Sequence, residues 1–282
     1  VNEAVPIVDA RLPDGSRVNV VLPPVALDGP TMTIRKFPKE KMTMERLIEL
    51  GALDEEAAGF LKLLVKARYN IFVSGGTGAG KTTFLNALSD YIPKTERIIT
   101  IEDSAELQLR DVENLVRMET RNSNVEGENA ITIRDLIKAS LRMRPDRVIV
   151  GEVRDSAAID MLTAMNTGHD GSLSTGHANS AYDMITRLES MVLMGIELPM
   201  EAVRRQIASA VDIIIHLGRL RDGSRKVTEI CEVTGIENGQ VQLMSLYEFE
   251  EQAEKGRKTV QGHLKKKAAL QNKEKLKRAG LE

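Results

Sequence analysis

A glycine-rich run at residues 75–83 narrows the choice of folds more than any other part of the sequence. It matches the pattern G-x-x-x-x-G-K-[ST] through Gly75, Gly80, Lys81 and Thr82. Residues 70–74 before it read as a short apolar strand, and residues 81–92 after it read as a helix with one apolar face. A Gly-rich turn alone would not require the lysine and threonine. We therefore predict a strand–loop–helix unit that binds a nucleoside triphosphate.

The residue types of this run explain why phosphates would bind there. Glycines let the backbone bend so that several amide N–H groups converge on one anion, and the helix start adds partial positive charge. Lys81 can reach the β- and γ-phosphates, and Thr82 can hold Mg²⁺. The predicted binding residues are the whole run: Gly75, Gly76, Thr77, Gly78, Ala79, Gly80, Lys81, Thr82 and Thr83.

Strands and helices alternate along residues 70–217, which predicts an α/β fold with a mostly parallel sheet covered on both faces. Two alternating segments near residues 226–246 predict an added β-hairpin. Residues 1–40 are strand-rich, with a hairpin signal at Asp14-Gly15, and resemble the remnant of a smaller domain. We expect domains at 1–40 and 41–250, and a basic, helical C-terminal tail at 251–282.

Carboxylates follow two of the predicted strands. Glu102 and Asp103 come after the apolar residues 98–101, and Glu152 follows residues 148–151 in the form of a Walker B strand. Because the carboxyl ends of parallel strands form the ligand crevice, both sites can face the phosphates. Glu152 is also a candidate Mg²⁺ ligand, directly or through water. The spacing leaves open which acid orients the attacking water, and helix caps or solvated loop acids remain the alternative.

Two histidines, His169 and His177, bracket a strand of small residues. A histidine at the end of that strand, His177, could sense the γ-phosphate, although a lone histidine is more often structural. His216 and His263 are expected to be structural or solvated. Metal ligation by the pair is disfavoured because no third ligand is suitably spaced.

Arginines are candidates for compensating charge in the transition state. Arg154 lies two residues after Glu152, and Arg35 ends the N-terminal strand-rich region, where an interdomain cleft could place it over a nucleotide. Four others are candidate arginine fingers: Arg110, Arg117, Arg121 and Arg134.

Composition excludes several other classes of protein. Hydrophobic residues make up 42% and charged residues 28% of 282, which fits a folded globular chain. The single cysteine cannot build a disulfide framework or a multi-cysteine zinc site. Aromatics are only 3%, without tryptophan, which disfavours a stacking platform for single-stranded nucleic acid. No segment has the length of a membrane span or the form of a signal peptide, and residues upstream of Val1 are expected to be missing.

Charge is unevenly distributed. Residues 253–282 carry a net charge of +7, and the other 252 residues carry −9. A basic tail on an acidic body could touch an acidic partner or an anionic membrane surface, or could simply be a solvated helix.

The order of these motifs resembles the secretion ATPase superfamily, with its Walker A, Asp box, Walker B and His box. The residues within these motifs are most similar to those of the CpaF-type ATPases of Flp/Tad pilus assembly, and the similarity includes residues 34–37 and 187–191. The resemblance implies a RecA-like domain that binds ATP and Mg²⁺ within a homohexameric ring. It also implies ATP hydrolysis at the cytoplasmic face of the inner membrane, in contact with a platform protein there and without nucleic acid.

The same resemblance implies roles for individual residues. Glu102 would be the Asp-box acid, Glu152 the Walker B acid, His169 and His177 the His box, and Arg35 an interdomain phosphate contact. Some branches carry a four-cysteine zinc insertion that this chain cannot build, which favours the CpaF or conjugation-type branch.

Two alternatives remain open from the residues themselves. One is a P-loop kinase, although no arginine-rich lid insertion is evident. The other is a nucleotide switch that binds without hydrolysis. A DNA translocase is disfavoured by the acidic body.

Overall fold

The computed structural model describes residues 2–36, 41–109, 111–121, 129–252 and 259–282. The chain divides into two compact units, Val1–Lys41 and Met42–Glu282.

The first unit is a three-stranded antiparallel sheet of β1 (Ile7–Arg11), β2 (Arg17–Val21) and β3 (Thr31–Arg35), in the order β1-β2-β3. Asp14 Oδ1 accepts a hydrogen bond of 2.9 Å from the Ser16 amide and so closes the turn between β1 and β2. The hairpin predicted at Asp14-Gly15 is confirmed.

The second unit contains a nine-stranded sheet. Its parallel strands are β4 (Ile71–Gly75), β5 (Arg97–Glu102), β6 (Asn114–Glu119), β7 (Arg147–Val150), β8 (Leu173–Gly176) and β9 (Ile213–Arg219). Its antiparallel strands are β10 (Arg225–Glu237), β11 (Gln240–Glu251) and β12 (Gly262–Lys266). The strand order is β12-β11-β10-β9-β4-β8-β7-β5-β6. The predicted α/β class and the β10–β11 hairpin are confirmed.

Eight α-helices are present in the described residues: α1 (Met44–Glu49), α2 (Glu55–Lys66), α3 (Lys81–Ser89), α4 (Ile133–Ser140), α5 (Ala157–Asn166), α6 (Ala181–Gly195), α7 (Met200–Ala210) and α8 (Glu274–Arg278). A short 3₁₀ turn, Leu141–Met143, extends α4. The predicted caps of α1 and α2 are confirmed, because Thr43 and Asp54 each accept a backbone hydrogen bond from the first turn. None of the helices in the described parts of the chain has the length and hydropathy that crossing a membrane requires.

The central strands are buried on both faces. Ile71 and Val73 of β4 pack into the core beneath α1, α2 and α3, whereas Phe72 packs into a second core beneath α4, α5, α6 and α7. This alternation follows from the two-residue period of a strand. It explains why the central strands read as continuous apolar runs.

The structure corrects the prediction of a helical tail at 251–282. Residues 262–266 form β12, which pairs with β11, and within the described residues of this segment only the five of α8 are α-helical. An edge strand has unpaired backbone groups, and β12 satisfies those of β11. The segment also belongs to the second unit rather than standing apart from it.

The chain end is held to the body by buried polar groups. The Glu232 carboxylate accepts hydrogen bonds from the Gln271 and Asn272 amides at 2.8 and 2.7 Å. Tyr69 donates its hydroxyl to the Asn272 carbonyl at 2.6 Å, and Lys275 Nζ lies 2.6 Å from Asp212 Oδ2. Part of the tail's positive charge is therefore paired with acids of the same chain.

Candidate functional site

The glycine-rich run forms a loop between β4 and α3, as predicted. A Cβ at Gly75 would lie 2.6 Å from the Leu217 carbonyl oxygen, so a larger residue does not fit there. Gly78 and Gly80 have φ values of +73° and +94°, which glycine adopts readily. Gly80 precedes the first turn of α3, and no side chain caps that turn. The backbone amides of the first turn of α3 are therefore available to an anion.

The Lys81 side chain folds back over this loop. Its Nζ donates to the Gly76 carbonyl at 3.1 Å and lies 3.3 Å from Nδ1 of His177. Burial lowers the pKa of Lys81, while the nearby Glu152 carboxylate raises it. Because an ammonium group can only donate, Nδ1 of His177 must be the acceptor, and the proton of the neutral ring is then on Nε2.

His177 and Glu152 follow the neighbouring strands β8 and β7. His177 Nε2 lies 2.6 Å from Glu152 Oε1. Burial lowers the pKa of His177, and the Glu152 charge opposes that shift. The approach is off the line of a good hydrogen bond, so Oε1 is a buried acceptor without an aligned donor. The carboxylate therefore keeps capacity to accept a hydrogen bond.

Arg154 and Asp103 extend this contact chain. Arg154 Nε lies 3.3 Å from Glu152 Oε2, and its Nη2 contacts the Asp103 carboxylate. Asp103 is further held by Thr120, whose hydroxyl donates to the Asp103 carbonyl at 3.2 Å. A cleft beside these groups is lined by Asp103, Ile133, Glu152, Arg154, Asp155 and Ala157. Five polar residues thus run in one line from the loop lysine to the end of β5.

Glu102 lies at the same edge of the sheet but is engaged differently. Its Oε1 accepts hydrogen bonds from the Glu106 and Leu107 amides at 2.8 and 2.9 Å, and its Oε2 is buried without a partner among the described residues. Burial raises the pKa of Glu102, and the two backbone hydrogen bonds lower it. A Cβ at Gly151 would lie 2.9 Å from Glu102 Cγ, so this carboxyl packs against the end of β7. Its catalytic role stays a prediction.

His169 is not brought to the phosphate loop. It precedes β8, and its Nδ1 lies 3.2 Å from the Ala164 carbonyl at the end of α5. Strand β8 runs parallel to β4, so His169 lies at the opposite edge of the sheet from the loop that follows β4. Four strand residues, roughly 13 Å at about 3.3 Å each, separate the two edges. This placement does not support a contact of His169 with nucleotide at the chain's own loop, and the expected contact stays a prediction.

The remaining predicted arginines have various positions. Arg35 ends β3 in the first unit, so its expected nucleotide contact stays a prediction, and Arg110 lies outside the described residues. Arg117 donates to the Leu107 carbonyl and Arg121 to the Asn129 carbonyl, at 3.2 and 2.9 Å. Arg134 pairs with Asp160 at 2.7 Å. This ion pair within the chain leaves Arg134 less free to act as an arginine finger.

Two contacts of the phosphate loop were missed by sequence reasoning. The buried His216, expected to be structural, places Nδ1 2.8 Å from the hydroxyl of Ser74, immediately before the loop. Arg225 donates from Nε to the Gly78 carbonyl at 2.7 Å. Both come from the β9–β10 hairpin. The sequence does indicate a turn at residues 222–224, after the last apolar strand. It does not indicate that this strand lies next to β4 in the sheet, which is what brings His216 and Arg225 to the loop.

The residues present fit a magnesium ion bound with phosphate. Thr82 supplies a hydroxyl in the first turn of α3, and Glu152 supplies a buried oxygen without an aligned donor. Hydroxyl and carboxylate oxygens suit Mg²⁺, which is usually held by one or two protein groups together with substrate phosphates.

Comparison with known proteins places the chain among secretion proteins. A family model described as "Type II/IV secretion system protein" matches residues 1–279. A putative conjugal transfer protein of Mycobacterium tuberculosis (strain H37Rv) is 40% identical over 231 residues, which are 82% of this chain and 65% of the relative. The chain thus spans just under two thirds of that relative's length.

Two solved structures share the fold. The VirB11 ATPase of the Brucella suis type IV secretion system, in complex with sulphate, is 32% identical with a TM-score of 0.57. The match covers 82% of this chain and 75% of that one. The pilus retraction motor PilT with bound ADP is 25% identical with a TM-score of 0.56, and the match covers 85% and 62% of the two chains.

Proposed function

Because the chain belongs to the type II/IV secretion system protein family, we propose that it is a motor ATPase that hydrolyses ATP to power protein secretion or pilus assembly. The observation that carries this proposal is the line of contacts from Lys81 through His177 to Glu152, with distances of 3.3 and 2.6 Å. A P-loop alone binds nucleotide, but hydrolysis also needs a group that orients water beside the terminal phosphoryl group. The contact of Glu152 with His177, which itself contacts Lys81, supports assigning that group to Glu152.

The residues of this chain divide the chemistry between them. The amides at the start of α3 hold the phosphate tail, and Lys81 exchanges its contact with the Gly76 carbonyl for the phosphate oxygens. Glu152 Oε1 accepts the hydrogen bond of the attacking water and then its proton, since that oxygen has no aligned donor. His177 contacts both Lys81 and Glu152 and so holds the two side chains in fixed relative positions.

Arg154 neutralises part of the negative charge at this site. It lies between the Glu152 and Asp103 carboxylates and so limits their mutual repulsion. Thr82 would hold Mg²⁺ through its hydroxyl and Glu152 would hold it through water, which leaves Oε1 of Glu152 to the attacking water. When bound, the ion supplies charge compensation to the phosphates.

The wider assembly is proposed from the family and its relatives. We place the chain in a homohexameric ring at the cytoplasmic face of the inner membrane, attached through a platform protein rather than by its own span. Names of relatives that refer to conjugal transfer and to pilus retraction support a secretion or pilus machine. Assignment to the CpaF branch of pilus assembly rests on the sequence resemblance alone.

The experiment that tests this function measures release of inorganic phosphate from ATP with and without Mg²⁺, together with the molar mass of the particle. We expect Mg²⁺-dependent turnover in the wild type and none in Lys81→Ala. Transfer of phosphate to another acceptor would favour a kinase, and tight binding without turnover would favour a nucleotide switch. A particle that stays monomeric at full activity would contradict the ring.

A further inference from the structure

We propose that Arg225, together with Arg219, binds the nucleoside half of the nucleotide and so distinguishes ADP and ATP from inorganic polyphosphates. The inference rests on the proposed function, because it concerns the same phosphate loop. It adds a recognition element on the β9–β10 side of that loop, where none of the predicted site residues lies.

Arg225 lies along the outer edge of the phosphate loop. Its Nε donates to the Gly78 carbonyl at 2.7 Å. Its Cδ would be 3.4 Å from a Cβ placed on Gly80. The side chain therefore follows the loop from Gly78 to Gly80. It contacts a backbone carbonyl and leaves the loop amides available to phosphate.

Hydrogen bonds of Asp222 stabilise the turn that precedes Arg225. Asp222 Oδ1 accepts from the Ser224 amide and hydroxyl at 2.9 and 2.6 Å, and Asp222 Oδ2 accepts from the Val260 amide at 2.7 Å. These hydrogen bonds lower the pKa of Asp222 to about 2. The backbone of Arg225 lies opposite that of Arg219 in the antiparallel pairing of β10 with β9. Its backbone is thus held at both ends of the turn.

The charge at this place is not compensated within the described residues. Only Nε of Arg225 makes a hydrogen bond there, so Nη1 and Nη2 are left as donors. The guanidinium of Arg219 makes no ion pair with any residue that the structure describes, whereas Arg221, in the same turn, pairs with Glu251. Like charges directly opposite on adjacent strands are destabilising. The two exposed guanidinium groups are therefore available to an anionic or aromatic ligand, which would offset their mutual repulsion.

The strand order gives the direction in which a bound nucleotide extends. In the sheet, β8 and β7 lie on one side of β4, and β9 and β10 lie on the other. The terminal phosphoryl group belongs on the first side, because His177 and Glu152 lie there. A nucleotide in that orientation extends its ribose and base toward Arg225 and Arg219. A planar guanidinium can stack on a base and donate hydrogen bonds to ribose oxygens.

The test compares a nucleotide with its bare phosphates. The dissociation constants of ADP and of inorganic pyrophosphate are measured by calorimetry on the full chain and on Arg225→Ala. Arg221→Ala is the matched control, because it removes the same charge from the same turn at a residue committed to Glu251. Arg225→Lys is the second variant, because it keeps the charge and loses the plane of the guanidinium.

We expect Arg225→Ala to weaken ADP binding about tenfold, which lies between the values for an exposed and a desolvated cation–π contact, and to change pyrophosphate binding less than about twofold. Arg225→Lys should weaken ADP binding more than Arg221→Ala, which should leave both ligands unaffected. Equal weakening of both ligands would make Arg225 a phosphate contact or a loop support and overturn the inference, as would unchanged ADP binding. If the wild type bound neither ligand, the proposed function itself would fail.

Discussion

The imidazole Nε2 of His177 lies 2.6 Å from Oε1 of Glu152, at the ends of two neighbouring parallel strands. The other ring nitrogen lies 3.3 Å from Lys81 Nζ. One side chain therefore contacts both the lysine that we propose binds phosphate and the carboxylate that we assign to water activation.

Replacement of His177 by alanine should reduce catalysis more than binding. The variant keeps the loop amides and Lys81, so the KM for ATP should change little. The Glu152 carboxylate loses its neighbour, and kcat should fall by about 10²-fold, at the lower end of the range for one acid–base group. Steady-state kinetics measure both quantities. A large rise in KM at unchanged kcat would show that His177 acts in binding instead.

Glu102 and Asp103 are adjacent in sequence and should respond differently to substitution. Glu102→Ala removes the acceptor of two backbone amides and should lower the free energy of unfolding by about 1–3 kcal/mol. Asp103→Ala removes an exposed partner of Arg154, which should cost at most about 1 kcal/mol. Urea denaturation measures both values. Loss of turnover in Asp103→Ala at nearly unchanged stability would support its part in the site, whereas full activity would exclude it.

His216 should make stability depend on pH. Burial lowers its pKa below the ordinary value of 6.5, so the unfolded chain takes up a proton at a higher pH than the folded chain does. Stability from this group is present above about pH 6.5 and is lost as the pH falls through the lower folded-state pKa. We expect the slope of Tm against pH in this acid range to be smaller in His216→Gln. An identical slope in both proteins would contradict this role.

The C-terminal segment should stabilise the second unit through Glu232. Glu232→Ala leaves the Gln271 and Asn272 amides without their acceptor, so the free energy of unfolding should fall by at least about 1.5 kcal/mol. The matched control is Glu237→Ala, an exposed carboxylate of the same strand, which should change it by less than about 0.5 kcal/mol. Equal effects of the two substitutions would show that the segment is not held in this way.

Much of the fold could be predicted because local signals agree with it. The apolar runs of the central strands reflect burial on both faces, and Thr43 and Asp54 cap helices at the positions that their residue types favour. The tail could not be predicted in the same way. Strand β12 forms because β11 offers an unpaired edge, and that edge exists only after the sheet has formed.

The site was predictable to the level of strand ends and no further. The three acids were all expected at one edge of the sheet: Glu102, Asp103 and Glu152. After β5 the chain turns back at residues 104–107, so that Glu102 accepts from backbone amides while Asp103 contacts Arg154. His169 and His177 were expected to bracket a strand, as they do, but only His177 follows β8 and reaches the phosphate loop, because motif order does not reveal which end of a strand meets that loop. Arg225 was missed because its contact with Gly78 depends on the sheet order.

Glu152→Ala, compared with wild type and Lys81→Ala in assays of ATP hydrolysis and ATP binding, decides whether Glu152 activates water. The account predicts that Glu152→Ala binds ATP, because the loop is intact, and hydrolyses it about 10²–10⁴-fold more slowly. Lys81→Ala should lose both properties. Near-normal turnover in Glu152→Ala would contradict the account, because no group in the proposed position would then be needed for hydrolysis.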